Sequence, residues 1–420
     1  MHIDPISKCR SCGGRIQPIL FLGSQYLSDF RSDYKKPNEY RLELMWCRDC
    51  YFAQLDSSAP LDEMYTENYG FKSGINNTIK ADLQDIVYEV CSYNTEPKIV
   101  LDIGSNDGTL LSYYPKNTFK IGIDPIKKLC EEAAEHKVNL VINDFFSADR
   151  VRKEWSGKFD AITAISMFYD VEDPNKLVGD MESLLSDEGV LVIQQNYILA
   201  TLKNNAYDNI CHEHIGYHSL MSMENILSKH NLEVVDVSTS LVNGGVLRTV
   251  IQKKGVGSPT PAVQELRDIE LHHKLNTEEP YHKFAHAVRM SKIRLQTLLA
   301  DIHSRDEKVY IYGASTRGGT IWQYCNLDFN DLPYAVDRNP EKVGKRIASI
   351  GVPIISEQQA RRDNPEYMLV SIWFFAREVC RREMDYLRKG GKLIFPLPEL
   401  TVVTKENVED FILEMEKLNE

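Results

Sequence analysis

Lys98-Ile-Val-Leu-Asp-Ile-Gly-Ser-Asn-Asp-Gly-Thr-Leu-Leu111 decides the fold. Ile99 to Ile103 read as a short buried strand, Gly104 to Gly108 as a small-residue turn, and Thr109 to Tyr114 as the opening of a helix. Asp102 sits at the strand's end, just before the glycines. A dinucleotide loop uses G-x-G-x-x-G to bring a pyrophosphate onto a helix N-terminus. The loop here, Gly104-Ser-Asn-Asp-Gly108, is G-x-x-x-G instead. It lacks the middle glycine and carries polar and acidic groups. An acidic loop repels phosphate and suits a cofactor with a cationic, amine-bearing end.

The elements that follow keep step. Phe119-Lys-Ile-Gly-Ile-Asp124 reads as a second strand ending in an acid, about 20 residues after the first acid, where a carboxylate can accept hydrogen bonds from ribose hydroxyls. A third strand runs from Val138 to Asp144-Phe145, a fourth from Phe159 to Ile165 and a fifth from Gly189 to Gln195. Strands alternating with helices predict an α/β, doubly wound parallel sheet. This pattern resembles the class I S-adenosylmethionine (SAM) methyltransferases. The resemblance implies SAM bound by Asp102, Gly104, Asn106, Asp107, Gly108 and Asp124, with Asp144-Phe145 at the adenine position. For the loop alone, a purely structural β-turn-α is the alternative.

Two C-x-x-C knuckles stand near the N-terminus, Cys9-Arg-Ser-Cys12 and Cys47-Arg-Asp-Cys50. Such spacing lets both sulfurs of a pair face one ion, and four thiolates complete the tetrahedral shell of structural zinc. A closed four-sulfur site leaves no open position, so its role is folding rather than chemistry. Nine cysteines in a long chain fit poorly with a disulfide framework.

Downstream lies Cys211-His-Glu-His-Ile-Gly-Tyr-His-Ser219, with three histidines, His212, His214 and His218, inside seven residues. Histidine suits general-base work near neutrality, and an adjacent carboxylate can orient it. In an extended segment His212 and His214 would share a face and could bind a metal, although no H-E-x-x-H frame supports this. The cluster could also serve only to cap structure.

A four-cysteine zinc module, a methyltransferase core, a Glu-His-x-x-Tyr-x-Ser run and a further C-terminal domain together resemble the sugar C-methyltransferases that act on nucleotide-linked 4-keto-deoxysugars. The likeness extends to a tyrosine-rich loop, Glu67-Asn-Tyr-Gly-Phe-Lys-Ser73, and to Gly244-Gly-Val-Leu-Arg248. It implies that His214 removes the proton beside a ketone and that the enolate takes the methyl group. Glu213 and tyrosines, among them Tyr69 and Tyr217, would hold the sugar and stabilise the enolate oxygen. The chain departs from the family's pattern at Cys211, Phe71, Gly74, Asn243 and Phe374, where tyrosine, tyrosine, serine, histidine and asparagine are usual. These changes point to an altered sugar or carbon position.

Past the Gly/Pro-rich stretch Lys254-Gly-Val-Gly-Ser-Pro-Thr-Pro261, charged helical patterns run to about Arg305. Val309 to Thr320 then repeats the strand-glycine-helix plan, with Tyr334-Ala-Val-Asp337 as its next strand. The loop Gly313-Ala-Ser-Thr-Arg-Gly-Gly319 is basic and hydroxyl-bearing, so Ser315 and Arg317 are expected on the pyrophosphate of a nucleotide-sugar. Arg248 is a candidate for phosphate or a sugar hydroxyl. Asn196 and Tyr197 follow the fifth strand at the sheet's ligand-binding edge.

The 420 residues divide on these signals into a zinc module (1–75), a SAM domain (76–253) and a second Rossmann-like, nucleotide-sugar-binding domain (254–420). The formal net charge of −12 counts against a nucleic-acid partner. The first residues lack an apolar h-region and no stretch is long and apolar enough to span a membrane, so a cytoplasmic protein is expected. The oligomeric state stays open, a monomer included. An O-methyltransferase, and a methyltransferase-like binding subunit without activity, are the competing functional readings.

Overall fold

A computed structural model describes residues 5–65 and 72–417. The stretch around Asp102 becomes the middle of a seven-stranded sheet. Ile99–Ile103 lies between Phe119–Asp124 and Phe159–Ile165, parallel to both. Leu140–Asn143 extends one side and Leu185–Asn196 the other. These strands are nearly continuous in Ile, Val, Leu and Ala because both faces are covered by helices. The chain departs in opposite directions from Ile99–Ile103, which opens a crevice at the carboxyl ends of the strands. The helix expected from Thr109 is short, Thr109–Ser112.

The antiparallel pair Leu232–Ser240 and Val246–Lys253 completes this sheet, with Val246–Lys253 hydrogen-bonded to Leu185–Asn196. Alternation of parallel strands and helices gave no sign of this pair.

The N-terminal residues build a four-stranded antiparallel sheet from Ile16–Tyr26, Glu39–Cys47, Ala53–Leu55 and Gly216–Tyr217. The last of these comes from the His-Glu-His segment. The C-terminal residues build an eight-stranded sheet around Val309–Tyr312, and its far edge is Phe30–Arg31, lent by the N-terminal module and paired with Arg346–Ile347. The helix Glu279–Ser304 buries Tyr281, Phe284, Val288, Leu295 and Leu299, spaced as one face of a helix requires. Its Tyr281 ring lies 5.4 Å from Trp46 of the zinc module. The three units expected from the sequence thus trade strands and share one core. Among the described residues, no helix is long and apolar enough to cross a membrane.

Candidate active site and metal centre

Cys9, Cys12, Cys47 and Cys50 bring their sulfurs within 4.8 Å of one another. The separations Cys9–Cys50 and Cys12–Cys47 are both 3.5 Å. A tetrahedron with zinc–sulfur bonds of about 2.3 Å has edges of about 3.8 Å, so the cluster fits zinc. No other group of three or more potential ligands occurs among the described residues. The metal reading of His212 and His214 falls for a geometric reason. His212 Nε2 donates to Tyr40 O at 3.1 Å and His214 Nδ1 donates to Asn209 O at 2.9 Å, so the rings serve separate carbonyls.

The crevice of the seven-stranded sheet holds a cavity of about 290 Å³. Asp102, Gly104, Asn106, Asp124, Asp144 and Phe145 line it, as the sequence led one to expect. Asp124 accepts from the backbone of Asn106 at 2.9 Å and of Ile126 at 2.8 Å, which pins the loop across the strand ends. Gly104 adopts φ +70, and a Cβ there would stand 3.2 Å from Met167, so this turn needs glycine. Burial pushes the Asp102 carboxyl up to about 7, opposed by the Thr163 hydroxyl it accepts from at 2.6 Å. The Ser105 hydroxyl is buried and lacks a partner among the described residues. Carboxylates, an unpartnered hydroxyl and the half-exposed Phe145 ring suit the amine, ribose and adenine of SAM.

Two loop residues have a different place. Asp107 accepts from Thr109 Oγ1 at 2.6 Å and from Gly74 N at 2.8 Å, and neither it nor Gly108 lines the cavity. They shape the turn whose other residues line the cavity. An Asp124→Ala variant removes both backbone anchors of the loop. Its affinity for SAM, measured by calorimetry, should fall by about 10- to 100-fold, the scale of one or two lost hydrogen bonds to a charged group.

His214 is reached from the end of the strand Leu185–Asn196 and is held from three sides. The backbone of Ile215 donates to Tyr169 O at 2.8 Å and accepts from Leu55 of the zinc module at 2.8 Å. Gly216–Tyr217 pairs with Ala53 and Gln54. From the C-terminal domain, Thr320 Oγ1 donates to Ile210 O at 3.0 Å. Because Nδ1–H donates to Asn209 O, the neutral ring of His214 presents an unprotonated Nε2. Burial lowers its pKa to about 3, so it is a neutral base at physiological pH. Asn196 Nδ2 donates to Asn209 Oδ1 at 2.9 Å and Tyr217 OH donates to Asn209 O at 3.3 Å. Both expected substrate residues thus brace the residue that orients His214. Glu213 is adjacent, its carboxyl pushed upward by burial. His212 and His218 are buried, His218 between Phe52 and Phe168, and belong to the core.

The structure corrects three substrate assignments. Arg248 is enclosed by Asp82, Asp85 and Glu89, with Nε donating to Gln194 at 2.8 Å, so it has no free donor face for a phosphate. It instead steadies Asp82 and Gln194, which line the SAM cavity. Tyr197 is core, its hydroxyl beside Glu270. Ser315 keeps its place: it caps the helix Thr316–Tyr324 through Gly318 N at 3.0 Å and borders a second cavity of about 230 Å³. Arg317 does not reach that cavity. It forms a buried pair with Asp208, donating from Nε at 2.9 Å, and its Nη1 donates to Asn243 O. Trp373 Nε1 donates to the same carboxylate oxygen at 3.0 Å. The cations on the second cavity are Arg338, Lys342 and Arg382, which the glycine-loop argument passed over. Tyr69, and Phe71 with it, lie outside the described residues.

Breaking the Arg317–Asp208 pair leaves a carboxylate buried without its cation, which costs about 3–5 kcal/mol. Arg317→Met should lower the urea midpoint accordingly and slow methyl transfer, because Asp208 lies in the turn Tyr207–Asn209 that leads into His214.

The cavity also has walls that were not anticipated: Asp82, Gln194, Tyr65 and Asp170. Asp170 ends the turn after the fourth strand, a position that the strand-end rule for open α/β sheets could have flagged.

Comparison with known proteins agrees with this geometry. Residues 9–65 match a family of zinc binding domains. Residues 76–237 match a methyltransferase domain family. Residues 241–398 match the C-methyltransferase C-terminal domain family. The C-methyltransferase NovU of Streptomyces niveus is 26% identical over 419 residues, covering 96% of this chain and 99% of that protein. Solved structures with similarity include the plantazolicin methyltransferase BpumL in complex with SAH. It is 15% identical and covers 42% of this chain and 86% of its own, at a TM-score of 0.34. The N-methyltransferase NodS from Bradyrhizobium japonicum WM9 is 14% identical, covering 42% and 98%, at 0.34. The chain is a SAM-dependent methyltransferase that binds zinc through its four N-terminal cysteines. Its C-terminal residues carry the C-methyltransferase signature, and the likeness to a C-methyltransferase runs over nearly its whole length.

Proposed function

We propose that the protein methylates the carbon beside the ketone of a nucleotide-linked ketosugar, as a step in the biosynthesis of a branched deoxysugar. The observation that carries this reading is His214: a neutral imidazole with Nδ1–H held by Asn209 O and Nε2 left to accept a proton. A neutral imidazole placed there can take a ketone-acidified proton, and the assay below separates this from proton removal from a hydroxyl.

SAM supplies an electrophilic methyl group when bound. The chain's residues do the rest. Asp124 and the loop it anchors would hold the cofactor end, and Asn209 keeps His214 in the right tautomer. Alignment of carbon and methyl then accounts for much of the acceleration.

Two cavities fit a two-part substrate. The helix Asn77–Tyr93 begins at Asn76, which borders the second cavity, while Asp82 and Leu83 on the same helix line the first. Arg338, Lys342 and Arg382 line the second cavity with Glu378, Asp337 and Glu357 paired to them, so a nucleotide there would meet a charge-balanced polar surface and the Ser315 loop, with the sugar extending toward His214. The test is a mass-spectrometric assay with SAM and a panel of nucleotide-linked 4-keto-6-deoxyhexoses. A gain of one methyl group, located on carbon by NMR, is the expected result. A methyl on oxygen, or no gain across the panel with SAM bound, would overturn the reading.

A further inference from the structure

Asp170 is the last residue of the turn Phe168–Asp170, where the fourth strand of the seven-stranded sheet delivers the chain to the crevice. It lines the SAM cavity beside Ser166 and Met167. Oδ2 accepts from the Tyr65 hydroxyl at 2.8 Å. Oδ1 is buried and has no hydrogen-bond partner among the described residues. The adjoining Tyr169 carbonyl holds the segment that carries His214, and the Tyr169 ring lies 4.4 Å from the His214 ring. The carboxyl therefore stands between cofactor cavity and base, with one oxygen uncommitted.

Among the described residues, Tyr65, Cys211, Glu213 and Tyr217 are the titratable groups that interact with Asp170. No cation is among them, and the guanidinium that acts on Cys211 and His214, Arg317, is already paired with Asp208. Two carboxyls, Asp170 and Glu213, thus interact with no described cation between them, which disfavours ionising both. Burial drives the Asp170 carboxyl well above the usual carboxylate range, and the charge of Glu213 adds to this. Of the two, only Asp170 lines the cavity.

We propose that Asp170 is a catalytic acid of this site: as a neutral carboxylic acid, it donates a hydrogen bond from Oδ1 to the carbonyl oxygen of the substrate. This rests on the ketone reading above. When His214 Nε2 takes the proton from the α-carbon, the C–H pair becomes the C=C bond and the carbonyl π pair moves to oxygen. The Asp170 O–H stabilises that oxygen without moving its own proton. The carbon then takes the methyl group, the C–S pair stays on sulfur, the carbonyl re-forms and His214 releases its proton to solvent. A carboxylic acid kept neutral by an apolar site is a strong donor to a developing enolate.

The experiment uses the full zinc-loaded chain as wild type, Asp170→Asn and Asp170→Ala, each checked by thermal melting. Infrared difference spectra of wild type against Asp170→Asn, at pH 7 and without substrate, should contain the carbonyl stretch of a protonated carboxylic acid. On the panel of nucleotide-linked 4-keto-6-deoxyhexoses, Asp170→Ala should lose about 10²-fold in kcat at saturating SAM. Asp170→Asn should keep more activity, because its amide still donates and its shape preserves the turn even where alanine does not. A wild type that methylates the panel but shows no protonated-acid band would overturn the proposal alone, as would full kcat in Asp170→Ala. A wild type that shows the band but methylates no panel member would overturn the ketone reading, and the carbonyl assigned to Asp170 with it.

Discussion

His214→Ala should reduce methyl transfer by about 10³-fold, within the 10²–10⁴ span of a lost general base, while calorimetry should find SAM binding unchanged. The separation follows from position. His214 does not line the SAM cavity, and the groups that anchor the cofactor loop, Asp124 and Asn106, make no bond to it. His214→Gln serves as the control for shape. Retention of most of the methylation of a proven substrate by either variant would remove His214 from the mechanism. The pH profile tests the same residue independently. A base works when deprotonated, and burial lowers this one's pKa from the ordinary 6.5 to about 3. The rate should therefore stay flat from pH 8 down to pH 5 wherever the fold persists. An unperturbed histidine would instead show an acid limb near 6.5, falling tenfold per pH unit below it.

Removing zinc has the other large effect. Structural zinc contributes about 10–16 kcal/mol of apparent folding free energy in small four-ligand domains. Here that energy supports more than the module itself. Ala53 and Gln54 follow Cys50 closely and pair with Tyr217 and Gly216, and Leu55 donates to Ile215, next to His214. Asn175 and Lys229 of the SAM domain bond to the backbone of Ser11, inside the first knuckle. Chelation, or Cys47→Ser, should release the metal measured by a colorimetric zinc assay and abolish methyl transfer. SAM binding should be weakened but measurable, because the seven-stranded sheet contains no strand of the module. Loss of zinc with full activity would show that the sulfurs and the catalytic loop are independent.

Legibility in the sequence tracks how local each signal is. Asp102, Gly104 and Asp124 were readable because their neighbours along the chain are also their neighbours in space: a strand, a tight turn, the next strand. The cysteine pairs were readable because two residues between thiolates is itself the metal-binding geometry. Arg248 and Arg317 were misassigned for the opposite reason. Each looks like a free cation in its own stretch, and each is neutralised by carboxylates far away in sequence, Asp82 for one and Asp208 for the other. Asp170 passed unnoticed because a lone aspartate after an apolar strand is ordinary until Glu213 and Tyr65 are folded onto it.

The sequence by itself determined the class of fold, the cofactor and the metal, since periodicity, loop polarity and thiol spacing act over a few residues. Only the tertiary structure decided how the site works. Which nitrogen of His214 is free depends on the carbonyl of Asn209. Which cations can meet a substrate depends on which carboxylates are packed against them. That Gly216–Tyr217 completes the zinc module's sheet, and Phe30–Arg31 the C-terminal one, depends on strand edges that need partners from wherever the chain brings them. Hydrogen bonds and charges saturate across space, so their partners are settled by packing rather than by order along the chain.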